Sequence, residues 1–229
     1  VPDKCVMYCE TSEHSAIVDG YMTMKAKLER TLAMITVSIE AGSIYDGIEI
    51  RPTKLAVYNV PETCTLKSGN KRDKNEPFDP DDDDTQRDGY SQLVNWGVIN
   101  KSGDVLGEHN HDKGNSAVFL LENMQGKTSN NDEKKKTPEV MPDASFIVVT
   151  ADYKYRDHSN PGVIKYAGSI NYRICLGENL TNDYNVRRNT HYQVTLSLSK
   201  WAGATEGGYI ENGMITNNYD PDNGVTWRI

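Results

Sequence analysis

The sequence is short of the residues on which several protein classes depend. It holds no apolar run near the length needed to cross a bilayer, so no membrane-spanning helix is expected. Its four cysteines, Cys5, Cys9, Cys64 and Cys175, are too few and too scattered for a disulfide scaffold. Cys5 and Cys9 stand close enough to be joined, although the spacing alone does not ask for it. Cys175, between Ile174 and Leu176, reads as a packed thiol on a strand. Positive charge is also in deficit. A formal charge of −8 offers no basic patch to displace phosphate counterions, which argues against nucleic acid as a partner. There is no GxSxG elbow, no HExxH pair and no glycine-rich phosphate loop, so neither an enzyme nor a cofactor is expected. The opening Val1-Pro2-Asp3-Lys4 lacks the charged start and apolar stretch of a signal peptide.

What the chain does have is β-structure. Apolar content of 37% implies a thin core, and thirteen tyrosines against three phenylalanines suit half-wet strand positions. Residues 182–199 read NDYNVRRNTHYQVTLSLS, two arginines and a polar cluster ahead of an unbroken alternation. Tyr192, Val194, Leu196 and Leu198 fall on one face and polar residues on the other, as in an antiparallel strand wet on one side. Further strands are expected at 35–40, 47–51, 55–60, 93–99, 118–121, 146–150, 169–176 and 225–229. Met24, Leu28, Leu32 and Ile35 recur at helical spacing, so a short helix or irregular turn is expected to feed the strand that follows. Residues 67–90 are charged and nearly free of aliphatics and read as a long solvated loop. Residues 122–145, polar and lysine-rich, read as a domain boundary, with Lys134-Lys135-Lys136 a soluble spacer. The resulting expectation is an all-β chain of two tandem sandwiches, 1–128 and 143–229, joined by a linker at 129–142.

Several clusters invite a ligand, and a plainer explanation outweighs each. The acidic run Asp79–Asp84 has carboxylates a calcium ion would accept, but lacks the glycine and final acid of an EF-hand loop and reads as solvated. Asp220-Pro221-Asp222-Asn223-Gly224 reads as a turn. His109 and His111 would share a strand face, yet they sit at a glycine-rich hairpin tip and no metal is assigned. Trp96, Trp201 and Trp227 lie in or beside expected strands and read as packing, not as a sugar-stacking surface.

Three segments resemble the Bacteroidales fimbrillin family, the type V pilins and their relatives. Tyr172–Gly177 followed by Asn182–Tyr192 is similar to a family strand ending in LG, then a V-x-R-N-x-x-Y passage into a late strand. FLLENMQG, Phe119 to Gly126, resembles the family's strand and P-E-N-x-x-G, with Leu121 in place of proline. LERTLAMITVSI, Leu28 to Ile39, resembles L-x-R-x-x-A-K-x-x-V, with Met34 in place of lysine. The segments occur in the family's order across residues 28–192. The resemblance implies two transthyretin-like Greek-key sandwiches, the first incomplete at its start. It also implies export as a lipoprotein precursor to the outer membrane and cell surface. The implied partners are other fimbrial subunits, in a homo- or hetero-polymer, and host or bacterial surface ligands.

An exposed sheet edge is a template for an added strand, and head-to-tail addition builds an open filament. The resemblance implies that stalk subunits donate a C-terminal extension. Here that would be 213–229, with Val225, Trp227 and Ile229 entering alternate pockets. The competing reading makes this segment the domain's own last strand. Beside the resemblance, Arg187 and Arg188 have planar forks suited to pinning carbonyls or carboxylates, and Asn189 tolerates a tight backbone. These three are read as a structural turn. The function expected is a structural fimbrial subunit. The alternatives are an anchor or tip subunit, or a surface glycan-binding adhesin module.

Overall fold

The computed structural model describes residues 6–9, 26–74, 88–101, 105–106, 117–210, 215–216 and 219–229. Its strands are β1 (Met7–Tyr8), β2 (Glu29–Arg30), β3 (Leu32–Ile44), β4 (Ile48–Tyr58), β5 (Gly89–Leu93), β6 (Val105–Leu106) and β7 (Ala117–Leu121). They continue as β8 (Asn123–Lys127), β9 (Phe146–Arg156), β10 (Ile164–Cys175), β11 (Asp183–Val186), β12 (His191–Lys200), β13 (Ile215–Thr216) and β14 (Val225–Arg228). One five-stranded sheet runs β13-β10-β9-β4-β5. The other runs β14-β12-β3-β6, with β7 also paired to β3. Side chains of both sheets meet in one buried cluster, including Ile35, Val37 and Ile39 of β3, Leu55 and Val57 of β4, Val149 of β9, Ile170 of β10 and Leu196 of β12. The fold is an all-β sandwich.

The tandem arrangement expected either side of 129–142 is corrected by the pairing. β3 lies parallel to β12, Val37 opposite Val194, and β4 lies antiparallel to β9, Ile50 opposite Tyr153. Each of these two large sheets therefore interleaves strands from before and after the expected linker, and neither half owns one of them whole. The segment that looked like a linker is a cover. Ala144 and Met141 pack with Tyr58, Phe146, Val148 and Cys175 on the face of the β4-β9-β10 sheet turned away from the main core. This explains why Phe146–Val149 is apolar without alternation, because both faces of the strand are covered. Lys136, expected to be a soluble spacer, is 1% exposed.

Other local expectations also shift. Residues 29–44 form strands, not a helical turn: the buried positions are Ala33, Ile35, Val37 and Ile39, a period of two. In β4 a bulge at Pro52–Lys54 changes the parity, so Ile48 and Ile50 before it and Leu55 and Val57 after it all face the main core. β12 alternates as expected, but its β3 neighbour is parallel and only its β14 neighbour antiparallel. Cys5, the acidic run Asp79–Asp84 and the His109–His111 cluster lie outside the described residues. Cys9, Cys64 and Cys175 are free thiols. Among the described residues no helix is long and apolar enough to cross a membrane.

Candidate functional site

The turn ahead of β12 is built around Arg188, which is 7% exposed. Its guanidinium donates to the carbonyls of Thr65 and Lys67, both at 2.9 Å, to the carbonyl of Leu66, and to Glu122 Oε2 at 3.0 Å. The same carboxylate oxygen accepts from the backbone N–H groups of Gly69 at 2.7 Å and Asn70 at 3.0 Å. A buried charge pair is costly unless its remaining hydrogen-bonding capacity is met, and loop 65–70 meets most of it here, leaving only Arg188 Nε of the guanidinium without a partner. Asn189 takes φ 55, and its N–H donates to the Leu32 carbonyl at 2.9 Å, so the turn is tied directly to β3. Arg187 has a different role. Its Nε reaches Glu178 Oε1 at 2.5 Å near the surface, and its backbone N–H donates to Tyr192 Oη at 2.8 Å. Tyr192 in turn donates to the Asn185 carbonyl at 3.2 Å, and burial raises its phenol pKa.

A second buried knot holds the neighbouring loop. Arg72 pairs with Asp143 and with Asp88, the latter at 3.1 Å, and its backbone N–H donates to Asn123 Oδ1 at 3.0 Å. Asn123 Nδ2 donates to the Asp143 carbonyl and to Ser145 Oγ, both at 2.9 Å. Lys74 and Arg72 hold the Asp88 carboxyl below its ordinary pKa. Residues 67–74 are thus anchored to the sandwich through Arg72 and Asn70, while Lys67–Gly69, Lys71, Asp73 and Lys74 are exposed, as expected of a solvated loop. Sequence reasoning missed Glu122, Asn123, Arg72 and Asp143 as site residues. The available signal was an acid and an amide directly after the apolar run Ala117–Leu121.

The three residues read as a donor strand lie by the other end of β12. Val225 and Trp227 are 0% and 2% exposed in this chain's own core, and Ile229 packs against it. Val225 faces Leu198 and Trp227 faces Leu196 across the β12–β14 ladder. The preceding turn is closed by paired bonds between Asp220 and Val225, at 2.7 and 2.8 Å. Gly224, at φ 89, is obligatory there, since a Cβ would fall 1.8 Å from the Ser199 carbonyl oxygen. The structure therefore has 225–228 as the domain's own last strand. Trp96 and Trp227 are in the core and Trp201 is half-buried.

The opposite edge of the sandwich is stitched by side chains. Tyr90 of β5 donates to the Phe119 carbonyl of β7 at 2.6 Å and accepts from the Phe119 N–H, while Gln92 reaches the Ala117 carbonyl at 3.4 Å. These contacts occupy main-chain groups of β7 that would otherwise be open to another strand.

Residues 118–196 match a domain of unknown function, DUF4906. That stretch runs from β7 through most of β12 and contains both Glu122 and Arg188. It leaves out β3 and β14, the two strands that flank β12. No curated protein sequence matches the chain. Among solved structures, the chain is similar to a crystal structure described as a candidate cell adhesion protein from Bacteroides eggerthii DSM 20697, with 11% identity and a TM-score of 0.42. That alignment covers 95% of this chain and 60% of the other. At that score the likeness is too loose to carry residue roles.

Proposed function

We propose that the chain is a non-enzymatic structural subunit of a cell-surface fimbria, reached as an exported precursor and assembled with other subunits by β-strand addition. One observation carries this reading. The three segments that resemble fimbrillins, far apart in sequence, are neighbours in space. Leu28–Ile39 supplies β3, Phe119–Gly126 supplies β7 on one side of it, and the Arg187–Tyr192 turn supplies β12 on the other. Glu122 of the second segment and Arg188 of the third are joined by the buried pair. The stretch Tyr172–Cys175 of the third segment lies apart, in β10 of the other sheet, so the convergence is of β3, β7 and the turn into β12.

A second reading, an anchor or tip subunit that donates no strand, is favoured by the seating of Val225 and Trp227 in their own core. The test locks β14 in place. Thr195 and Arg228 are register partners, and Thr195→Cys with Arg228→Cys, in a background with Cys5, Cys9 and Cys64 changed to Ser, would tie the strand to its own β12. Unlocked and locked chains, with and without an Arg-specific protease, are run unboiled on a denaturing gel. A multimer ladder in the unlocked chain only is the expected result and makes 225–229 the donor. A ladder in both keeps the polymer but removes the donor role from this strand. Monomer in both overturns the stalk reading in favour of an anchor or tip.

A further inference from the structure

The turn Asp220-Pro221-Asp222-Asn223-Gly224, which leads into β14, carries chemistry that the sandwich does not need. Asn223 precedes a glycine, the neighbour that least obstructs attack by its own backbone nitrogen on the asparagine side chain, because it has no Cβ. The attacking group is available. The Gly224 carbonyl accepts from the Ser199 N–H and the Asn223 carbonyl from the Gly203 N–H, both at 2.9 Å, but the Gly224 N–H has no hydrogen bond among the described residues. Asn223 is half-buried and so is reached by water.

The same side chain holds the turn shut. Asn223 Nδ2 donates to Asp220 Oδ2 at 2.8 Å, and its backbone N–H reaches Asp220 Oδ1 at 3.3 Å. Asp220 in turn exchanges main-chain bonds with Val225, at 2.7 and 2.8 Å, which fixes the start of β14. Across the turn, Lys200 Nζ donates to the Pro221 carbonyl at 2.9 Å and the Asp222 carbonyl at 3.2 Å. An aspartate at 223 has no amide proton to give Asp220 and sets a second carboxylate against the first. An isoaspartate, whose main chain runs through the side-chain carbon, also lengthens by one methylene the turn that aligns Asp220 with Val225.

We infer that Asn223 is a site of spontaneous modification, and that its conversion to aspartate or isoaspartate unlatches β14. The Gly224 nitrogen attacks Asn223 Cγ. The N–Cγ bond forms, the Cγ–Nδ2 bond breaks, and ammonia leaves with the proton that Gly224 gave up. Water then opens the resulting succinimide at either carbonyl, so one water is taken up for each ammonia lost. This chemistry is independent of the fimbrial role, since it needs the turn alone.

The full chain is aged at mildly alkaline pH, where the attacking nitrogen is more readily deprotonated, and then digested. Tandem mass spectrometry locates the mass gain of an amide-to-acid change and separates Asn223 from Asn212-Gly213, which lies outside the described residues. Amide hydrogen exchange reads β14. Conversion at Asn223 is expected, with Val225–Arg228 exchanging about tenfold faster in the converted chain and in Asn223→Asp. Asn223→Gln, aged alongside, should neither convert at 223 nor loosen, because a glutamine would have to close a larger ring. If Asn223→Asp fails to fold, the aged parent chain carries the measurement. Three results would each overturn the inference: no conversion at Asn223 in the folded chain, conversion that leaves β14 exchange at the parental rate, or equal loosening of the aged Asn223→Gln chain.

Discussion

Lys136 is 1% exposed, and its ammonium group donates to the Asn179 carbonyl while lying 5.6 Å from the centroid of the Tyr184 ring. Burial lowers its pKa from the ordinary 10.5 to about 8. Below pH 8 the amine is charged in both folded and unfolded chains, and the fold bears the full desolvation cost. Between about pH 8 and 10.5 the folded chain releases the proton while the unfolded chain keeps it, so stability rises with pH across that window. Cys175 opposes the trend from pH 9 upward, because burial pushes its thiol from 9.0 to about 12 and the unfolded chain ionises first. The expected outcome in urea melts is a rise in stability above pH 8 that levels off near pH 9. Lys136→Met should remove the rise and stabilise the protein at pH 7 by on the order of 1–2 kcal/mol. A profile unaltered by the substitution would mean that Lys136 does not carry it. Arg188, by contrast, is buried together with a carboxylate, Glu122, at 3.0 Å.

At the scale of elements, β7 shows how a strand edge is managed. Tyr90 alone occupies both main-chain groups of Phe119. Tyr90→Phe should cost about 1–2 kcal/mol in denaturant melts and expose that edge. Sedimentation should then show concentration-dependent association absent from the parent chain, and a monomeric variant of parental stability would refute the capping role. Strands of this kind were legible in the sequence where burial is one-sided, as in Tyr192–Leu198. Their partners were not legible, because alternation in β12 says which face is buried and nothing about β3 lying parallel beside it. Leu28, Leu32 and Ile35 fitted a helical spacing as well as part of a strand, and only the burial of Ala33, Val37 and Ile39 separates the two. The Arg187–Asn189 turn could be read as structural from guanidinium geometry. Its partner Glu122 could not, since composition records polarity but not whether a polar group finds a hydrogen bond inside the fold.

For the whole molecule, interleaving of the halves has a direct test. The full chain should melt in one calorimetric transition, and residues 1–128 and 143–229 made separately should show none. Two transitions, or a cooperatively folded half, would contradict the shared sheets. Interleaving also governs how the protein comes to exist in time. Met34 faces His191 and Ile44 faces Lys200, so the central pairing of one sheet joins residues more than half the chain apart. Such pairings give a high contact order, for which folding takes on the order of milliseconds to seconds, slow beside helical proteins of like size. While the chain is being made, β3 has no parallel neighbour until β12 emerges, long after it. The sheet therefore closes late, and through that interval β3 keeps one flank open to whatever chain arrives first.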